Sequence, residues 1–254
     1  MPRALNRLCD LRIPLIAILA TTFSGACAKP EQSVKPGINS KFKSDINVDE
    51  WVQRFESESR EVFHHRDLIL DAMNLTPREC VADIGAGTGF YTIAFAERVR
   101  PGGLVFAVDI AEPFLRHIRD FAAERGLENI TTIQCPDNTT GLHANSVDVA
   151  FICDTYHHFE YPKSTIASLY RAMRKGGRVH IIEFIRHDAD GGRDDAKWMA
   201  MPTERREWVI GHVRCDRDTV IRECESAGFV VAEAQADDVN RALSENYMLT
   251  LIKP

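Results

Sequence analysis

The chain has 254 residues, a formal net charge of −6 and 44% hydrophobic residues. That length suits one folded domain with an accessory cap, and the composition excludes disorder, collagen and coiled coil as the main organisation. The negative charge argues against nucleic acid as a partner, and no apolar run reaches the roughly 18 residues of a membrane-spanning helix.

The chain begins with Arg3, Arg7 and Arg12, then the short apolar run 13–23, then Ser24, Gly25 and Ala26. Basic, apolar, small is the layout of a secretory signal, so residues 1–28 are expected to direct export. Two processing routes stay open. Cleavage after Ala28 would release a soluble protein. Acylation of Cys27 would make a lipoprotein, the one route by which a membrane enters the expectation. Residues 29–50 are polar with two prolines and predict a flexible linker.

Apolar residues at Phe55, Val62, Ile69 and Met73 predict a helical cap over 51–77, with Arg66 on the same stripe. From residue 78 onward, short apolar runs alternate with helical patterns. Strands are expected at 80–84, 104–110, 130–135, 147–153, 178–185, 229–234 and 247–252. Helices are expected at 90–99, from Pro113, from Pro162 and at 218–227. Strands without internal alternation, each followed by a helix, mean a parallel sheet covered on both faces. Residues 186–215 interrupt this order, and Trp198, Trp208, His212 and Arg214 within them suit a lid-like insert. Seven cysteines without a CxxC pair offer neither a disulfide framework nor a metal set, and no metal is expected. An unpaired thiol is left over if the chain is exported. His64 and His65 are adjacent on a helix, about 100° apart, and make no metal pair.

In an open α/β sheet, ligands bind beyond the carboxyl ends of the strands. The first strand runs into VADIGAGTG, with Asp83, Gly85, Gly87 and Gly89. Glycines there let the backbone approach a ligand, and the next helix offers N–H groups. A dinucleotide fingerprint needs G-x-G-x-x-G/A, and Phe90 stands where its last small residue belongs. The second strand ends in Asp109 and Ile110, where a carboxylate suits ribose hydroxyls. The third is followed by Pro136-Asp137-Asn138. The fourth ends in Asp154, followed by Tyr156, His157 and His158.

Together, VADIGAGTG, AVDI, the Pro136-Asp137-Asn138 turn, VDVAFICDTYHHF and RKGGRVHIIEF resemble the successive motifs of class I S-adenosylmethionine-dependent methyltransferases. The resemblance covers about residues 60–185. It implies a Rossmann-like α/β fold with a seven-stranded, mostly parallel sheet, helices on both faces and the last strand antiparallel. It implies S-adenosyl-L-methionine as cofactor, a small-molecule acceptor, and methyl transfer as the activity. Asp83, Gly85, Gly87 and Gly89 would hold the methionine part, Asp109 the ribose and Asp137 the adenine amino group, with Ile110 and Asn138 as further cofactor-binding candidates. Asp154 would face the methyl donor, and Arg66 is a candidate partner for the cofactor carboxylate. Tyr156, His157 and His158 are the catalytic candidates, the histidines because they titrate near neutrality. Two alternatives remain: a degenerate nucleoside-binding domain, and an NAD-dependent oxidoreductase. A metalloid acceptor bound by Cys153 and Cys215 lacks a third thiol near the N-terminus.

Overall fold

The computed structural model describes residues 30–44, 46–57, 60–188, 191–192, 194–232 and 237–254. The chain divides into two units, Met1–Pro30 and Glu31–Pro254, and the second carries the helices and strands of the described residues. Residues 1–28, expected to direct export, and Cys27 among them lie outside the described residues. No helix among the described residues is long and apolar enough to cross a membrane.

Three short helices come first: α1 (Val48–Phe55), α2 (Glu61–His64) and α3 (Arg66–Ala72). The alternating series runs as β1 (Cys80–Ile84), α4 (Phe90–Arg98), β2 (Leu104–Asp109), α5 (Glu112–Glu124), β3 (Ile130–Gln134), β4 (Val147–Cys153), α6 (Pro162–Ala172) and β5 (Met173–Phe184). Then come α7 (Ala196–Ala200), α8 (Thr203–His212), α9 (Arg217–Ser226), β6 (Val230–Val231), α10 (Asp237–Ala242) and β7 (Asn246–Ile252). The strands lie in the order β3-β2-β1-β4-β5-β7-β6. β1 to β5 pair in parallel, and β7 inserts antiparallel between β5 and β6. This is the expected Rossmann-like sheet.

Alternate residues of each central strand feed opposite faces, because successive side chains of a strand point to opposite sides. Ala82, Ala150, Ile152 and Ile181 join the core beneath α6 and α9. Val81, Val149, Phe151 and Ile182 join the core beneath α3, α4 and α10. Both faces are therefore apolar, which explains why the strands read as unbroken hydrophobic runs. Each fully buried large side chain contributes about 1.5–3 kcal/mol. Strand order reverses between β1 and β4, so a crevice opens there at the carboxyl ends.

Two expectations about the N-terminal part need correction. The single helical stripe of 51–77 is broken into three helices. Val62, Ile69 and Met73 are buried as expected. Arg66, however, turns outward to pair with Asp67 and covers the Phe90 ring. The second correction concerns residues 31–44, the bulk of the segment expected to be a flexible linker. Glu31 accepts from the N–H groups of Lys163 and Ser164 at the start of α6, the orphan donors of a helix N-terminus. Ser33 donates to Glu160, Asn39 bonds His158, and Lys43 pairs with Asp137 at 2.6 Å. Polar composition marked this segment as unable to form its own core; it is held instead by the polar groups of the domain.

Candidate active site

The glycine turn leaves β1 with Gly85, Gly87 and Gly89 all at positive φ. They serve different purposes. A Cβ on Gly85 would meet Thr155 at 2.2 Å and one on Gly89 would meet Ile118 at 2.6 Å, so these two permit close packing. A Cβ on Gly87 would make ordinary contact with the Phe55 ring at 3.5 Å and the Gly85 carbonyl at 4.0 Å, and Gly87 lines the cavity. Asp109 at the end of β2 fastens the turn: its carboxylate accepts from Gly87 N–H at 2.9 Å and Ala111 N–H at 2.8 Å. Burial holds Asp109 above the usual carboxylate range, against the stabilising backbone N–H groups. Asp83 lies beneath the turn, accepting from the Thr92 hydroxyl at 2.6 Å. Burial, helped by nearby Asp109, pushes its pKa to about 7.

A cavity of about 480 Å³ opens over this turn. On one side it is lined by Asp109, Ile110, Cys135, Pro136 and Asp137, and on the other by Phe184, Arg205, Trp208 and His212. A second pocket of about 100 Å³, a side lobe in the sense that it shares Arg60, Gly85, Gly87 and Asp154 with the first, is lined by Asp83, Thr88 and Cys153. Phe42, Trp51 and Phe55 roof the cavity, with Phe42–Trp51 and Trp51–Phe55 centroids each 5.0 Å apart and all three rings near Phe114. The roof is tied to the turn where the Thr88 hydroxyl donates to Glu56.

Asp154 sits at the end of β4 with φ +47, a conformation few non-glycine residues adopt. Asn246 donates to one of its oxygens at 2.6 Å, and Arg60 forms an ion pair with the other. Burial raises its pKa while Arg60 opposes the rise. Arg60 is brought here by its neighbour Glu61, whose carboxylate accepts from the backbone N–H groups of Ser244, Glu245 and Asn246 at the start of β7.

Beyond Asp154 the chain makes a 3₁₀ turn, Tyr156–His158. His157 is buried and its Nδ1 lies 2.8 Å from Glu183 Oε2. His158 Nδ1 lies 3.1 Å from Asn39 Oδ1. Burial, with the neighbouring histidines and lysines, pushes the His158 pKa down to about 2, so its ring is neutral. Both histidines line the cavity.

Residues 82–181 match the family described as Methyltransferase domain. Over that stretch, from β1 to β5, the chain is similar to methyltransferase domains. It is 30% identical over 146 residues to nocamycin O-methyltransferase of Saccharothrix syringae, covering 58% of this chain and 47% of that protein. It is 33% identical over 111 residues to the ubiquinone/menaquinone biosynthesis C-methyltransferase UbiE of Burkholderia mallei, covering 44% of this chain and 45% of that protein. The chain thus spans a little under half the length of either relative. Among solved structures, a SAM-dependent methyltransferase from Aquifex aeolicus superposes with a TM-score of 0.63 at 21% identity, over 83% of this chain and all of that one. That likeness supports the fold.

The fold gathers most, not all, of the predicted residues. Gly85, Gly87, Asp109, Ile110, Asp137, Asp154, His157 and His158 line the cavity, and Asp83 lines its side lobe. Gly89 packs under the turn. Asn138 is exposed and outside the cavity lining. Tyr156 is not a cavity residue: its hydroxyl donates to Glu223 at 2.7 Å, its ring packs in the core and Arg214 covers one face. A phenol followed by two histidines at a strand end looks catalytic in one dimension, yet the 3₁₀ turn sends Tyr156 the other way. The arginine beside Asp154 is Arg60, not Arg66. Cys80, Cys135, Cys153, Cys215 and Cys224 are all free. Cys153 lines the side lobe whereas Cys215 joins the core. The insert supplies Arg205, Trp208 and His212 through α8, while Trp198 is buried in the core.

Proposed function

We propose that this domain transfers a methyl group from S-adenosylmethionine to a small apolar or aromatic molecule. The observation that carries the reading is the fit between cofactor and cavity. S-adenosylmethionine is cationic at sulfur, has an adenosine at one end and an amino acid at the other, and supplies an electrophilic methyl group. Carboxylates at Asp109, Asp137 and Asp154 line the cavity walls, which suits a cation. Asp137 Oδ1 is buried without a hydrogen-bond partner while its other oxygen takes Lys43. Such an orphan acceptor suits an amino group such as that of adenine. Asp109 would accept from ribose hydroxyls with the lone pairs its two backbone bonds leave over. Arg60, already at the side lobe, would bind the amino-acid carboxylate, and Asp154 the ammonium.

The acceptor end is the wall formed by Phe184, Trp208, His157, His158 and His212. Arg205 covers both Phe184 and Trp208, with its guanidinium 5.1 and 4.4 Å from their centroids. A flat apolar acceptor fits such a wall, and the two relatives are named for O- and C-methyl transfer. The aromatic roof excludes water, and the walls align acceptor with methyl, which is most of what an in-line displacement requires.

Calorimetry with S-adenosylhomocysteine and NAD, run side by side on the purified protein, tests the cofactor half of the reading. Micromolar binding of S-adenosylhomocysteine is expected, on the order of 8 kcal/mol. Tighter binding of NAD would overturn it.

We further propose that residues 1–28 export the protein, a reading supported by their basic, apolar and small-residue order alone. A reporter active only outside the cytoplasm, fused after residue 40, is expected to give signal. A cytoplasmic reporter would end the export reading. With export established, loss of membrane attachment in Cys27→Ser would favour acylation over cleavage after Ala28.

A further inference from the structure

The three histidines at the acceptor end form a cluster that no local spacing announces. His157 and His158 come from the turn after β4, and His212 from the last residue of α8. Their ring centroids are 4.4 Å (157–158), 4.8 Å (157–212) and 5.4 Å (158–212) apart. One ligand nitrogen from each lies within 4.8 Å of the other two. Tetrahedral zinc with Zn–N bonds of about 2.0–2.1 Å has its nitrogens about 3.3–3.4 Å apart. The nitrogens would have to close by up to about 1.4 Å to share one ion.

The outer contacts matter more than the proximity. Metal-ligating histidines almost always donate the N–H of the other ring nitrogen to a carboxylate or carbonyl oxygen, which fixes both tautomer and ring orientation. Two of the three rings are fixed in this way. Glu183 takes Nδ1 of His157, and also accepts the backbone N–H of the same residue at 3.0 Å. Asn39 takes Nδ1 of His158 with its Oδ1 at 3.1 Å, while its own Nδ2 donates to the His158 carbonyl at 3.0 Å. That second bond settles which way the amide points. In both rings Nε2 is then the nitrogen that would ligate. His212 stacks on Trp208, with centroids 4.7 Å apart at 28°. All three line the cavity, so one coordination position would face an incoming molecule.

We propose that His157, His158 and His212 bind one borderline divalent cation of the zinc type. Three neutral imidazoles with an open position are the donor set of a catalytic rather than a structural zinc site. Lys35 and Lys41 oppose a cation by their charge; Lys35 Nζ is turned to the carbonyls of Gly211 and His212 at 2.9 and 2.6 Å. The carboxylate of Glu183 offsets them from behind His157. The ion's expected use, polarising an oxygen of a bound acceptor, rests on the methyltransferase reading; the binding itself does not.

The test uses the full chain, stripped of metal with a chelator and then titrated with Zn²⁺ against a competing indicator, and with Co²⁺ followed by visible absorption. One ion per chain is expected, with Co²⁺ bands of a four- or five-coordinate nitrogen site and no thiolate-to-metal charge-transfer band. Asn39→Ala should weaken binding by about 10- to 100-fold, the usual cost of losing an outer hydrogen bond. His212→Ala should weaken it further, and far-UV circular dichroism of both variants checks that they fold. S-adenosylhomocysteine binding by the unaltered protein is measured on the same samples, so that failure of the metal site and failure of the cofactor reading give different results. No stoichiometric Zn²⁺ binding, a thiolate signature, or binding unchanged in folded His212→Ala would each overturn the site.

Discussion

Gly87→Val is expected to lower affinity for S-adenosylhomocysteine by 100-fold or more, about 2.7 kcal/mol, while the protein still folds. Gly87 has φ +53, where a β-branched residue is strained by roughly 1–3 kcal/mol. Its Cβ nevertheless points at open cavity and makes only ordinary contact with the Phe55 ring and the Gly85 carbonyl. The cost therefore falls on the ligand's space more than on the core. Gly89→Ala is the contrast: its Cβ would press on Ile118, which is fully buried, so the thermal midpoint should fall more than for a substitution at an open position. Calorimetry and thermal unfolding of the two variants separate the roles. A folded Gly87→Val protein with unchanged affinity would remove the turn from the site.

Asp109→Ala should damage binding and stability together. The carboxylate holds Gly87 N–H and Ala111 N–H, both beneath the cavity. Leaving a buried donor unsatisfied costs about 1–3 kcal/mol, so losing both should lower unfolding free energy by roughly 2–6 kcal/mol. Loss of ribose hydrogen bonds should remove another 1–3 kcal/mol or so from cofactor binding, about 5- to 150-fold in affinity. Asp109→Asn keeps the shape and one acceptor oxygen and should fall between the two. Urea unfolding gives the first quantity and calorimetry the second. A stable Asp109→Ala protein with full affinity would mean that the carboxylate neither builds the turn nor touches the ligand.

Both predictions concern the part of the site that is contiguous in the chain. There the sequence is informative because geometry and sequence coincide. A parallel strand ends, a glycine turn comes next, and a helix begins, all within ten residues. The carboxylates at Asp109 and Asp154 are legible for the same reason, since each closes an apolar run whose end marks the edge of the sheet. Tyr156 is the exception that shows the limit: whether it faces cavity or core depends on the 3₁₀ turn and on the Arg214–Glu223 pair that receives its hydroxyl.

Arg60 and Asn39 carried no such signal, and His212 was legible only as part of a lid-like insert. Arg60 lies off the apolar stripe of its region, and reaches Asp154 because Glu61 fastens α2 to the start of β7. Asn39 sits in a polar stretch whose composition alone suggests a linker, and its bond to His158 joins residues 119 apart in sequence. His212 belongs to an insert without strand or motif. Periodicity says which side of an element is apolar, but not which distant element that side will meet.

The sequence by itself determined the alternation of strand and helix, the parallel sheet and the glycine-and-carboxylate edge, because apolar period and turn chemistry are local properties. Only the tertiary structure decided what closes over that edge. The aromatic roof, the Arg60–Asp154 pair and the three-histidine cluster exist because side chains distant along the chain are brought within a few ångströms, and that proximity is a property of the packed sheet rather than of any segment.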